Sequence, residues 1–288
     1  MTVARASEPP DTGTQVIALT WDDYLAWLGG RLDHATTAWG EQLKLGPAWS
    51  PGEHMALIGP TGEGKTTHAV GMLGLRKYVL AIDPKGEDET LSASGYTRVT
   101  SLPASGMARF RGSDQREWRR ILKGIEDGHD ARVIIGGGSR TDEEDEHLQQ
   151  LMRDAITYSR HSGGWTLYVD EFELLSSQRM FRLGPAIERM LITARRDKTS
   201  VVTSYQAQAW VSKHATRQAR RAVMWPTGDR DMIDGVAEAM GRDKHAIREA
   251  IDQLPAFHTL TIPRGKRGGP LVITSAPEVK IPKRRDGS

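Results

Sequence analysis

Residues 54–73 read HMALIGPTGEGKTTHAVGML, an apolar run, a glycine-rich turn and a helix-forming segment in that order. Within it GPTGEGKT, at 59–66, satisfies the pattern G-x-x-x-x-G-K-[ST] at every position. Phosphate chemistry explains these residue types. Gly59, Gly62 and Gly64 let the backbone turn its N–H groups toward phosphate oxygens. The N-terminus of the following helix adds the positive end of its dipole. Lys65 would reach the β- and γ-phosphates, and the Thr66 hydroxyl would ligate Mg²⁺. The run Gly59, Pro60, Thr61, Gly62, Glu63, Gly64, Lys65, Thr66 and Thr67 is therefore the expected nucleotide-binding segment, with ATP and Mg²⁺ as the implied ligands. The bland alternative is a strand-to-helix turn with an exposed lysine.

Outward from this segment the same rhythm repeats. Apolar runs stand at His54–Ile58, Tyr78–Ile82, Arg132–Ile135, Trp165–Val169 and Ser200–Ser204, separated by turns and helical segments. Between the third and fourth, Leu148, Leu151, Met152, Ala155 and Ile156 recur at helical spacing behind a capping box of Thr141 and Glu144. Between the fourth and fifth, Leu183, Ile187, Met190, Leu191 and Ala194 do the same. Strands alternating with helices require crossovers, hence an α/β fold with a central, mostly parallel sheet and helices on both faces. Upstream, TWDDYLAWLGGRLDHA places Tyr24, Leu25, Trp27, Leu28 and Leu32 on one face of a helix capped by Thr20. The expected division is a flexible tail at 1–15, a short helical N-terminal segment at 16–49, a P-loop domain at 50–275 and a basic tail at 276–288.

WTLYVDEF, at 165–172, is an apolar strand that ends in two adjacent carboxylates. Asp170 at the strand end would hold Mg²⁺ through water, and Glu171 would polarise the attacking water. A carboxylate beside the metal aspartate favours a hydrolase, since a kinase of small metabolites would not need it. SVVTSYQ ends at Gln206. If its strand lies between the other two, Gln206 stands beside the γ-phosphate and can sense or orient the nucleophile.

Composition removes other classes. The 288 residues are 38% hydrophobic and 26% charged, and no apolar run approaches the ~18–20 residues of a membrane span. MTVARASEPP at the start has no apolar core of a secretory signal. Without cysteine there is neither a disulfide framework nor a thiolate metal site, which agrees with a cytoplasmic location. The 39 basic and 37 acidic residues nearly cancel, so contact with nucleic acid must come from local clusters. Nine histidines show no ligand spacing such as H-E-x-x-H.

Four segments together resemble the FtsK/HerA superfamily of hexameric DNA-pumping ATPases: PGEHMALIGPTGEGKT, YVLAIDPKGE, WTLYVDE and ARRDKTSVVTSYQ. The second is the informative one, because a strand running into Asp83-Pro84-Lys85-Gly86 is not something a generic P-loop protein needs. RRAVMWPTGDRDMIDGVAEAMG, at 220–241, is similar to the later strand-turn-helix of that family, and the likeness spans roughly 50–275. Glu63 departs from it, standing where many members carry a small residue. The resemblance implies a P-loop NTPase core of the additional-strand, RecA-like type, a homohexameric ring, and double-stranded DNA as partner. It also implies an arginine reaching the γ-phosphate of a neighbouring subunit, for which Arg195 and Arg196 are candidates and Arg140 a weaker one. A basic helix end favoured by the macrodipole remains the alternative for the pair. Lys85 could contact DNA, nucleotide or a neighbour. RRILKG (119–124), KHATRQARR (213–221) and PRGKRGG (264–270) are either DNA-facing loops or solvated faces. A reading from another class, a nucleotide-dependent assembly or switch protein that moves no DNA, stays open.

Overall fold

The computed structural model describes residues 15–37, 40–86, 88–99, 115–136, 142–177, 181–206, 213–265 and 268–275. The chain begins with β1 (Val16–Leu19), α1 (Trp21–Leu28) and a hairpin of β2 (His34–Thr36) and β3 (Gln42–Lys44). The P-loop unit follows as β4 (His54–Ile58) and α2 (Lys65–Leu73), then β5 (Tyr78–Ile82), α3 (Glu89–Ala93) and β6 (Thr97–Val99). Next come α4 (Gln115–Glu126), β7 (Ala131–Ile135), α5 (Asp142–Ser162) and β8 (Thr166–Val169). After them stand α6 (Phe172–Ser176), α7 (Gly184–Thr193) and β9 (Ser200–Tyr205). The last part holds α8 (Lys213–Gln218), β10 (Ala219–Met224), α9 (Arg230–Met240), α10 (Lys244–Asp252), β11 (His258–Pro263) and β12 (Leu271–Ser275).

One ten-stranded sheet has the order β1-β12-β11-β10-β4-β9-β8-β5-β7-β6. Every strand in it runs the same way except β11, which is antiparallel to both β10 and β12. β9 lies between β4 and β8, so one strand separates the P-loop strand from the carboxylate strand. This is the additional-strand arrangement on which the reading of Gln206 depended.

The strand period of two divides each central strand between two cores. Met55 and Leu57 of β4 pack with Ala69, Met72 and Leu73 of α2 and with Tyr24, Trp27 and Leu28 of α1. Ala56 and Ile58 face the other way, into a core with Met152 of α5, Ile187 and Met190 of α7 and Ile233 and Val236 of α9. Burial on both faces is why these strands read as unbroken apolar runs. Each large side chain so buried stabilises the fold by about 1.5–3 kcal/mol.

The segment 16–49 carries more than a helix. Thr20 caps α1 by accepting from the Asp23 N–H at 3.2 Å, but Gly29 and Gly30 end the helix at Leu28. Leu32 therefore lies beyond it. The short run VIAL, at 16–19, pairs in parallel with β12 and joins the main sheet. Thr141 of the expected capping box, Arg140, and the tails apart from Gln15 fall outside the described residues.

Candidate active site

Parallel strands send their C-terminal ends to one edge, and there β4, β9, β8 and β5 stand side by side. The loops leaving them enclose a cleft of about 350 Å³. Thr61, Gly62, Gly64, Lys65, Thr66 and Thr67 form one wall; Asp83, Lys85, Asp88, Asp170, Glu171 and Gln206 form the other. The structure thus brings together residues from four separated sequence segments.

Gly62 and Gly64 have φ of +83° and +86°, the left-handed region open to glycine, and α2 starts directly after them at Lys65. Gly59 has a different reason: a Cβ there would stand 2.6 Å from Cβ of Trp225. It is buried beneath the loop and does not line the cleft; nor do Pro60 and Glu63. Lys65 Nζ donates to the carbonyls of Gly59 (2.8 Å) and Pro60 (2.6 Å). Burial lowers its pKa, and Asp170, Glu173, Glu171 and Glu63 act against that shift.

Asp170 closes β8, with its N–H donating to the Ile82 carbonyl at 3.1 Å and its Oδ1 accepting from the Tyr168 hydroxyl at 3.0 Å. Burial pushes its pKa from 3.8 up to about 6, opposed by that hydroxyl. Glu171 has φ of +46°, a left-handed conformation that a non-glycine residue adopts only under constraint. Its Oε1 meets Lys85 Nζ at 2.5 Å. Lys85 is delivered by a turn that Asp83 builds. The buried Asp83 carboxylate accepts from the N–H groups of Gly86 (2.9 Å) and Asp88 (3.3 Å) and faces Arg98 at 3.4 Å. The Asp83–Gly86 segment is therefore a support for the site as well as a mark of resemblance.

Sequence reading missed Asp88 and Glu173. Asp88 caps α3 by accepting from the Leu91 N–H at 2.8 Å, and burial raises its pKa while the Thr66 hydroxyl lowers it. Glu173 Oε1 accepts from the Gln206 N–H and so fixes the end of β9. An Asp six residues past a strand and a Glu in a helical first turn look like ordinary surface charges. The α3 cap at Asp88 was the one available signal.

Arg195 and Arg196 lie elsewhere. Both are exposed on the turn before β9, at the sheet edge opposite the cleft, where the Arg195 backbone abuts Gly52. Among the basic stretches, Arg221 is buried, facing Glu53 at 3.6 Å and the Trp27 ring. Arg264 donates to the carbonyls of Ala219, Ala239 and Thr216, each at 2.7 Å. These two arginines hold the fold and are not presented to a partner.

The raised Asp170 pKa carries a stability prediction. The folded state keeps a proton that the unfolded chain has released between pH 3.8 and about 6, so stability falls as pH rises through that window. Above it, the ionised buried carboxylate costs about 3 kcal/mol. Asp170→Asn should therefore raise the melting temperature of the nucleotide-free protein at pH 7–8, with a gain that fades toward pH 4. Thermal melts across this range check it, and a gain independent of pH would assign the effect to packing instead.

A P-loop NTPase fold is thus in place. No protein-family model matches the chain, and no curated protein matches it. Solved structures do. The genome packaging NTPase B204 from Sulfolobus turreted icosahedral virus 2, in complex with sulfate, is 17% identical, covering 79% of this chain and 98% of its own, with a TM-score of 0.51. VirB4 of Thermoanaerobacter pseudethanolicus is 10% identical, covering 79% of this chain and 90% of its own, at 0.53. At such identities the likeness is one of fold. That fold is a P-loop NTPase core on a mostly parallel central sheet, the fold that the four sequence segments implied.

Proposed function

We propose that the protein is a Mg²⁺-dependent ATPase that converts ATP and water to ADP and phosphate, acting as a homohexameric motor on double-stranded DNA. The observation that carries the hydrolytic part is the meeting of the P-loop, Asp170, Glu171 and Gln206 in one cleft, with β9 between β4 and β8. Lys65 and the loop amides bind the phosphates. Glu171 takes a proton from the attacking water, and Gln206 orients that water. Thr66 and Asp170 fit Mg²⁺, a hard cation that prefers oxygen donors. Among the described residues no cluster of three carboxylate or imidazole groups could hold a metal unaided. That agrees with an ion bound through one or two side chains and the substrate phosphates. Bound there, Mg²⁺ would supply positive charge against the negative charge of the substrate phosphates.

The motor reading draws support from the sequence resemblance and from the genome-packaging role in the B204 description. No helix of the described residues is long and apolar enough to cross a membrane, and we place the protein in the cytoplasm, or in a host cytoplasm if a virus encodes it. One observation favours the second reading, an assembly or switch ATPase that moves no DNA: Arg221 and Arg264 are used internally, which thins two of the basic stretches. Duplex DNA separates the two. A motor's turnover rises with DNA, and the rise decays steeply with salt as phosphate contacts are screened. Turnover indifferent to DNA at low salt favours the switch.

Lys65→Ala tests the nucleotide site itself. Loss of the charge that meets the β/γ-phosphates should weaken ATP binding strongly, read by calorimetric titration. Unchanged affinity in a folded variant would remove the P-loop assignment.

A further inference from the structure

Among the described residues the cleft offers nothing flat and apolar to a nucleobase. Its described walls are glycine, hydroxyl, carboxylate, amide and lysine, and Tyr205, the aromatic residue among them, is wholly buried. A base held by the described residues rests outside it, and the strand order gives the direction. On the P-loop reading Glu171 and Gln206, which follow β8 and β9, mark the γ-phosphate end. A nucleotide whose phosphates lie on the loop after β4 extends away from them, toward β10 and β11.

Because β11 is antiparallel, its first residues reach the same sheet edge as the last residues of β4. Leu260 pairs with Met224, and Met224 pairs with Ile58, the residue before the P-loop. Strands are spaced ~4.8 Å apart, so the start of β11 lies two strands, about 10 Å, from the end of β4. Phe257 stands immediately before β11 at this place.

Two features of Phe257 have no explanation in packing. It is 61% exposed, and among the described residues it is the exposed large aromatic; Val16 and Ile192, also exposed, have no ring. It also has φ of +61°. The turn is closed by the His258 N–H donating to the Pro255 carbonyl at 3.1 Å. Phe257 holds the third position of that turn, where glycine is favoured. Backbone strain of this kind clusters at binding and catalytic sites.

We propose that Phe257 is the base-stacking residue of the nucleotide site, taking the flat face of the nucleobase of a nucleoside triphosphate. This rests on the P-loop reading and extends it to the nucleoside. Stacking on an aromatic face accounts for exposure, strain and position together, and each stacked base loses about 5- to 150-fold in affinity when the ring is removed.

The test compares ATP with inorganic tripolyphosphate, which has the phosphates and no base. Binding of both is measured to the unaltered protein, Phe257→Ala, Phe257→Gly and Phe257→Trp. Phe257→Gly relieves the backbone strain and guards against a folding loss. The expected result is weaker ATP binding by that factor in the Ala and Gly variants, unchanged tripolyphosphate binding in all, and retention of ATP in Phe257→Trp. ATP affinity unchanged in the Ala and Gly variants overturns the proposal, as does an equal fall for both ligands. If the unaltered protein binds neither, the P-loop reading has failed and the proposal falls with it.

Discussion

Glu171→Gln should bind ATP normally and hydrolyse it about 10²- to 10⁴-fold more slowly, the span that a positioned general base contributes. The amide keeps the shape of the carboxylate but cannot accept the proton of the attacking water. Asp170, Thr66 and Lys65 are untouched, so the phosphate site persists. The geometry adds a second reason to expect a large effect. Glu171 is held at φ of +46° at the mouth of the cleft, and a constraint of that kind fixes where its carboxylate can go. Binding titration together with single-turnover hydrolysis separates affinity from chemistry. A normal rate would make Glu171 a strand-end carboxylate whose partner is Lys85, and would remove it from the role of base.

Arg195→Ala or Arg196→Ala should also leave ATP binding intact while lowering hydrolysis, by as much as the 10³- to 10⁵-fold measured for arginine fingers. The location makes the test sharp. Both arginines precede β9, whereas the cleft lies beyond the end of that strand, so neither serves its own subunit's γ-phosphate. Any contribution has to cross an interface. Specific activity should then rise with protein concentration as rings assemble. Mixing a finger variant with Glu171→Gln should restore turnover, because one subunit supplies the finger and the other the base. Full activity at high dilution, or no rescue in demonstrably mixed rings, would return both residues to the role of solvated charges beside Asp197.

The central strands were legible because burial on both faces favours apolar residues. HMALI and YVLAI are nearly continuous apolar runs, SVVTSY buries Ser200, Thr203 and Ser204 beside its valines, and the order of these strands with the helices dictates crossovers. Neighbour relations were less accessible. That β9 separates β4 from β8 is a fact about strands that lie about 110 (β4 and β8) and about 145 (β4 and β9) positions apart, and only the family likeness hinted at it. The Lys85–Glu171 pair joins residues 86 positions apart and leaves no local pattern. Asp83 was noticed as part of a motif, yet its work in folding the turn shows only through its hydrogen bonds. Charge runs misled in the other direction. Arg264 looks like a surface cation in PRGKRGG, but three carbonyls accept its guanidinium, so it lies half-sunk at the junction of α8, α9 and β10. β1 escaped notice because four residues are too few to show a period.

The pairing of β1 with β12 has a consequence for how the chain is made. Val16 stands opposite Leu271, so β1 waits for a strand made about 250 residues later before it finds its neighbour. β11 is also late, and until it arrives the edge of β10 is an open row of peptide groups able to pair with another chain. The parallel block from β4 to β9 can assemble beforehand, since its strands and covering helices are already synthesised. Closure of this side of the sheet thus waits until β12 has been made, and contacts this distant in sequence are slow to form. A chain cut before residue 271 loses the partner of β1 and one side of β11 together, so β1 would be left without a ladder and the sheet would end on an unsealed β11.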